Sequence, residues 1–374
     1  MENKADIAIV GAGIAGLAHA YMALRKGYTV VLFERDQFAV GASVRNFGLS
    51  WPIGQEPAVG LEYALRARHH WQEVAREAGF WMKPNGSLHV VYHDDEWEVL
   101  QEFMRIYRDA PYDCTLLSPE QVKEKSGVVI QKGLRGGLWS STEGTVNPRE
   151  AIRKIPLWLK EKYGLMLRYG HVVKEIALPH VHTARETWEV SHVFVCSGAD
   201  FETLYPEVFD NHPVSKCKLQ MMKAVPEKPF ELGPTLCAGL TLRHYAAFGK
   251  CPSLPQVDAR YDAESEAYKD NGVHVLLAQN QAGELIIGDS HHYSRTVEPF
   301  DDEEINELIL DYLKSFADLG PIKITERWHG VYPKLMGDIH LIVRPQPNVT
   351  VVTGLGGAGM TLSFGIAEKL IDAL

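Results

Sequence analysis

Cysteine is scarce. The 374 residues hold five, Cys114, Cys196, Cys217, Cys237 and Cys251, an odd number with no CxxC pair. That argues against a disulfide framework and against a zinc site, and leaves small buried apolar side chains as their expected role. No apolar run approaches the length needed to cross a bilayer. The N-terminal Met1 to Asp6 is polar and lacks the basic, apolar, small-residue order of a signal peptide. The expected location is therefore the cytoplasm, with no membrane partner. Positive charge is also in deficit: 38 Lys and Arg against 48 Asp and Glu give a net charge of −10. A global basic footprint for nucleic acid is missing, whereas an anionic small molecule needs only a few local cations. There is no low-complexity tract and no internal repeat. What remains is an ordinary globular composition, 45% hydrophobic and 23% charged, on a chain long enough for two joined domains.

Ile7 to Val10 is a short apolar run suited to a buried parallel strand. Gly11-Ala12-Gly13-Ile14-Ala15-Gly16 follows at once, and Leu17 to Lys26 then reads as a helix ended by Gly27. A second strand, Thr29 to Phe33, ends on Glu34, followed by Arg35. Gly11 permits the tight turn, Gly13 lets a pyrophosphate approach the backbone, and Gly16 lets helix and strand pack closely. The helix N-terminus offers unpaired N–H groups to phosphates. Glu34 lies about 18 residues after Gly16, where an acid accepts hydrogen bonds from ribose hydroxyls. A lone GxGxxG arises by chance in turns; strand, helix, second strand and acid together specify a dinucleotide site without separating FAD from NAD. The loop from Gly41 to Gly48 supplies further donors in Ser43, Arg45 and Asn46, with Ala42, Phe47 and Gly48 around them. On spacing alone, a ligand role and a surface loop stand level there.

Near the other end, Val349 to Thr353 reads as a buried strand, Gly354 to Gly359 as a glycine-rich turn, and Met360 to Leu374 as a closing helix. Such a turn is again an anion or dipole site, fit for Gly357, Gly359, Met360 and Thr361 to meet the electron-rich edge of a reduced flavin. In mid-chain, Val193 to Asp200 is a strand ending in Ser197-Gly198, and Tyr169 to Ile176, with Val173, is a strand before it. The expected fold is α/β: a discontinuous Rossmann-like domain from 1–80, 146–204 and 326–374. The segments 81–145 and 205–325 form an inserted α+β substrate domain on a mixed or antiparallel sheet.

At Ile9 to Gly16, Gly41-Ala42-Ser43, Gly198-Ala199 and Gly330 to Thr361, the chain resembles the FAD-dependent amine and amino-acid oxidoreductases: D-amino-acid oxidase, glycine oxidase and sarcosine oxidase. The resemblance covers the whole chain in outline and implies FAD in the split domain, with the second domain's sheet over the flavin. The stretches Gly41 to Gly48 and Trp51-Pro52-Ile53-Gly54-Gln55 are similar to a subgroup associated with bacterial phosphonate catabolism. That implies 2-aminoethylphosphonate or an N-alkyl form as substrate. Departures matter. Several amino-acid oxidases hold the substrate carboxylate with an Arg where this chain has Tyr332, and sarcosine oxidases use a Lys where it has Thr361. The lysine that promotes oxygen reaction in sarcosine oxidases aligns with Ile286. No cysteine lies beyond Cys251 to carry a covalent flavin link, so the expected FAD is non-covalent.

The implied chemistry is loss of hydride from the carbon next to a neutral amine, with hydrolysis of the iminium. The cofactor carries the electronics, so no catalytic base is required and none is assigned. An anionic substrate group needs donors, for which Arg and Lys are suited. The candidates are Arg45, Arg243, His244, Tyr245, His291, His292, Tyr332 and Lys334. Adjacent residues on a strand point to opposite faces, which separates His291 from His292 and Arg243 from His244. No carboxylate or third histidine completes a recognisable metal pattern around His291-His292. Trp71, Trp81, Trp97, Trp139 and Trp158 read as packing, and Asp301 to Glu304 as the acidic start of a helix reaching Phe316. The partners implied are a small amine and O2 or another electron acceptor. Rival readings are a glycine- or sarcosine-type oxidase, with Arg45 or Lys334 on the carboxylate, and a non-catalytic dinucleotide-binding regulator.

Overall fold

The computed structural model describes residues 3–374; Met1 and Glu2, the start of the polar leader and of the expected 1–80 segment, lie outside the described residues. Two large sheets organise the chain. The first has eight strands, with Lys4–Val10 between Val30–Glu34 and Thr187–Val195, all parallel. Met166–Tyr169 extends it in parallel beyond Val30–Glu34, and Val349–Thr353 runs parallel to the end of Thr187–Val195. Antiparallel strands Val173–Ala177, His180–Thr183 and Leu341–Gln346 complete the edges.

Parallel strands buried on both faces need apolar side chains on both, which is why these runs are so continuously hydrophobic. Ile7 and Ile9 pack beneath the helices Ile14–Arg25, Val59–Ala78, Pro148–Tyr163 and Gly359–Asp372. Ala8 and Val31 face the opposite layer, with Trp188, Phe201 and Phe209. The expected single strand from Tyr169 to Ile176 is two strands, broken where Gly170 takes a φ of +69°.

The second sheet has nine strands and is mainly antiparallel. Its spine is Val214–Pro226, paired along its length with Ile322–Leu335. The hairpin Leu276–Gln279 and Leu285–Gly288 pairs beside that spine. The expected domain boundary at 326 therefore falls inside a strand, and 326–335 belongs to the substrate-side sheet. Helix Glu303–Phe316 covers this layer, with Asp302 as its cap accepting from the Glu304 N–H at 2.9 Å. No helix among the described residues is long and apolar enough to cross a membrane.

Candidate active site

Two adjoining cavities lie where the sheets meet. The outer one, about 480 Å³, is walled by Gly11, Gly13, Ile14, Ala15, Glu34, Arg35, Val173, Ser197 and Gly198. The inner one, about 230 Å³, is walled by Arg45, Asn46, Phe47, Trp51, His244, Tyr245, His291, Lys334, Gly357, Met360 and Thr361. Ile14, Ala42, Ser43, Tyr332, Gly356 and Gly359 border both, so the two lie side by side.

The outer cradle is glycine-built for stated reasons. Gly11 has a φ of +103°, and a Cβ there would lie 2.4 Å from the Cys196 carbonyl oxygen. A Cβ on Gly16 would lie 1.9 Å from the Gly11 oxygen. Gly16 therefore allows the close helix approach but does not itself line a cavity. Helix Ile14–Arg25 begins without a side-chain cap or an acid in its first turn, leaving its positive end to a ligand. The Ile14 N–H donates to Ser43 Oγ at 2.9 Å, and the Ala12 N–H donates to Glu34 Oε2 at 3.0 Å. These bonds fix the loop Gly41 to Gly48 and the acid around the turn. Arg35 is paired with Asp200. The cradle fits FAD: Gly13 to Ala15 would hold the pyrophosphate, Glu34 the ribose, and Gly357 and Gly359 the flavin end.

Some expected contacts resolve into structural roles. Gly48, at a φ of +78°, turns the chain against the Val146 carbonyl and lines neither cavity. Asn46 borders the inner cavity but spends its amide on its own loop, donating to the Ala42 oxygen at 2.8 Å and accepting from the Gly48 N–H at 2.7 Å. Thr361 Oγ1 accepts from the Trp51 N–H at 3.0 Å. Trp71, Trp81, Trp97, Trp139 and Trp158 stay outside both cavities, as packing residues do, whereas Trp51 forms part of the inner wall.

The substrate-side candidates divide. His244, Tyr245, His291, Tyr332, Lys334 and Arg45 converge on the inner cavity. Arg243 does not: it follows a short helix, Gly239–Leu242, rather than lying on a strand. Its guanidinium is spent on Asp258 at 2.7 Å and Asp262 at 2.6 Å. His292 turns away to Asn271, with Nε2 3.2 Å from Oδ1, as strand alternation requires.

Two residues enter that the sequence did not single out, His274 and Asp289. Hairpin pairing continues past Leu276 and Gly288, where the backbones of His274 and Asp289 exchange hydrogen bonds of 3.2 and 2.9 Å. The signal was the hairpin itself, two apolar strands around Asn280 to Gly283, extended outward by two residues on the first strand and one on the second. The third histidine that the metal reading lacked is thus present. His244, His274 and His291 bring ring nitrogens within 4.8 Å of one another. His274 Nε2 is 3.2 Å and His291 Nε2 3.8 Å from the Asp289 carboxylate. Asp289 Oδ1 and His274 Nδ1 nevertheless have no hydrogen-bond partner in the protein.

Burial governs the charges here. It pushes the imidazole of His274 well below its ordinary range, whereas the His244 ring stacked on it is exposed. His291 falls to about 4 by burial, against a hydrogen bond to the Gly272 carbonyl that raises it. Burial also pushes the Asp289 carboxyl and the Tyr245 and Tyr332 hydroxyls well upward, and it lowers the Lys334 ammonium.

A family profile described as "DAO: FAD dependent oxidoreductase" matches residues 6–373. The chain belongs to this family. The family is that of the FAD-dependent oxidoreductases. Among curated relatives, the tRNA 5-methylaminomethyl-2-thiouridine biosynthesis bifunctional protein MnmC of Vibrio campbellii is 24% identical over 396 residues, covering 100% of this chain. The chain spans 56% of that relative's length. Among solved structures, glycine oxidase from Geobacillus kaustophilus superposes with a TM-score of 0.79 at 18% identity, over 100% of this chain and 94% of its own. FAD-bound L-alpha-glycerophosphate oxidase from Mycoplasma pneumoniae gives 0.75 at 15%, over 100% and 96%. Identities this low establish the shared fold.

Proposed function

We propose that the protein oxidises the C–N bond of a small amine that also carries an anion. We take the substrate to be 2-aminoethylphosphonate or its N-methyl form, and the product phosphonoacetaldehyde. The carrying observation is the pair of cations on the inner cavity's wall. Lys334 and Arg45 border it beside Tyr332 and Thr361, and the resemblance implies that the latter two replace the carboxylate-binding cations of amino-acid oxidases and sarcosine oxidases. An ammonium acting as a point charge suits a phosphonate. Bound FAD supplies the hydride acceptor. The chain's part is to hold the amine carbon still and to keep water away through Trp51, Leu219, Met221 and Leu276. The names of two relatives accord with this: one concerns a methylaminomethyl group, the other a glycerophosphate.

Glycine oxidase, by its name, favours a second reading, in which glycine or sarcosine binds with Arg45 or Lys334 on its carboxylate. Steady-state kcat/KM values for 2-aminoethylphosphonate, its N-methyl form, glycine and sarcosine, with O2 and with an artificial acceptor, separate the two. The phosphonates are expected to lead by at least about tenfold, with an aldehyde product; a clear lead for the amino acids would overturn the phosphonate reading.

A further inference from the structure

The cluster of His244, His274, His291 and Asp289 has no role in the account so far. Its geometry says what it receives. The rings of His244 and His274 lie face to face, with centroids 3.8 Å apart and planes 25° apart. A metal accepts an imidazole lone pair in the plane of the ring at about 2.1 Å, and two stacked rings share no such point. The nitrogens all lie within 4.8 Å of one another, which leaves room for a larger centre. Acceptors about 2.9 Å from one tetrahedral nitrogen donor stand roughly 4.7 Å apart. A buried carboxylate in the same wall selects a cation over an anion. Asp289 is 5% exposed, and its Oδ1, though 3.2 Å from His274 Nε2, accepts no hydrogen bond in the protein.

We propose that this cluster seats the substrate's ammonium group and that Asp289 takes its proton. The claim rests on the amine-oxidation reading, though not on the phosphonate part of it. In the step, an N–H bond of the ammonium breaks, an O–H bond forms on Asp289, and the electron pair stays on nitrogen. An ion pair becomes two neutral groups, which a buried site favours, and the freed lone pair is what hydride loss from the next carbon requires. The upward push on the Asp289 carboxyl makes its carboxylate a stronger base than an exposed one. His274 and His291 face it from its own hairpin, and His244 and Tyr245 from the turn after Gly239–Leu242. Cys217, Tyr293, Tyr332 and Lys334 face it from neighbouring strands. Of these, Lys334 borders the same cavity near the His244 and His291 rings, and is the cation that would meet the substrate anion.

The test is anaerobic stopped-flow reduction of the holoenzyme flavin across neutral to alkaline pH, with N-methyl-2-aminoethylphosphonate and, separately, sarcosine. Wild type is expected to reduce at a rate nearly independent of pH below the amine's own pKa. Asp289→Asn is expected to lose about 10²–10³-fold at neutral pH, to gain tenfold per pH unit, and to converge on wild type at high pH. Asp289→Glu should restore part of the loss. An Asp289→Asn profile equal to wild type overturns the proposal, as does a stoichiometric metal in purified wild type that Asp289→Asn lacks.

Should Asp289→Asn fail to fold, infrared difference spectra of reduced wild type decide. A protonated-carboxyl band should appear with the N-methyl amine and not with its trimethylammonium analogue, which has no proton to give. The same response to both overturns it. Flavin reduction by sarcosine alone would sink the phosphonate reading and leave the Asp289 comparison intact.

Discussion

Gly16→Ala would place a methyl group 1.9 Å from the Gly11 carbonyl oxygen, with the Gly11 carbonyl carbon at 3.1 Å and Ile9 Cγ2 at 3.2 Å. Relief needs roughly 1.5 Å of separation to reach ordinary van der Waals contact. Gly11 cannot supply it. Its N–H donates to the Phe33 oxygen at 2.8 Å, and its own φ of +103° is already fixed against Cys196. Helix Ile14–Arg25 must lift instead, loosening Ile14, Leu17 and Tyr21 in the core. Overpacking of this kind costs about 1–3 kcal/mol, which predicts a Tm lower by about 1–4 °C in a chain of this size. The amides of Gly13 to Ala15 move with the helix. Losing two charge-assisted hydrogen bonds to a pyrophosphate weakens FAD by roughly a hundredfold or more. The assays are thermal unfolding, the FAD-to-protein ratio after purification, and FAD titration followed by flavin fluorescence. Gly127→Ala is the control, since a Cβ there meets nothing within 4 Å. A Gly16→Ala protein with wild-type Tm and full FAD would refute the packing argument.

Glu34→Gln keeps the Ala12 contact but weakens acceptance from ribose hydroxyls. FAD affinity should fall by about tenfold in the same titration, with little change in Tm. Lys334→Met removes one of the two cations bordering the inner cavity; KM for a phosphonate amine should rise by about 30-fold or more, while an uncharged amine of similar size is little affected. Acid stability carries a third signature. Burial holds His89 at about 3 and His19 at about 4 in the folded protein, below the unfolded value of about 6.5. The unfolded chain then binds more protons, so stability is lost as pH falls from about 6.5 towards those values. His89→Leu should remove roughly 3 kcal/mol of that loss at pH 4, read as a flatter Tm-against-pH curve.

The cofactor side was legible because its signals are local. The order of strand, glycine turn, helix, strand and acid from Ile7 to Glu34 occupies consecutive residues, and the strand from Val349 to Thr353 falls where it was expected. The substrate side depends on pairings distant in sequence. His274 and Asp289 meet only because a hairpin extends beyond its apolar core, and no periodicity within either segment announces it. Arg243 was misread for the opposite reason. A strand rule was applied to a short helix end, and a free guanidinium was assumed where Asp258 and Asp262 neutralise it. The boundary at 326 missed because Ile322–Leu335 is one long strand laid along Val214–Pro226, and its length follows from a partner about a hundred residues away.

The central claim, an FAD enzyme that takes hydride from an anion-bearing amine, meets its most direct test in a single turnover. The purified holoenzyme is mixed without oxygen with one equivalent of 2-aminoethylphosphonate or its N-methyl form, and the flavin absorbance is followed to completion. Bleaching with stoichiometric phosphonoacetaldehyde is the expected result. An oxidised flavin that no aminoalkylphosphonate bleaches, yet glycine or sarcosine does, would contradict it.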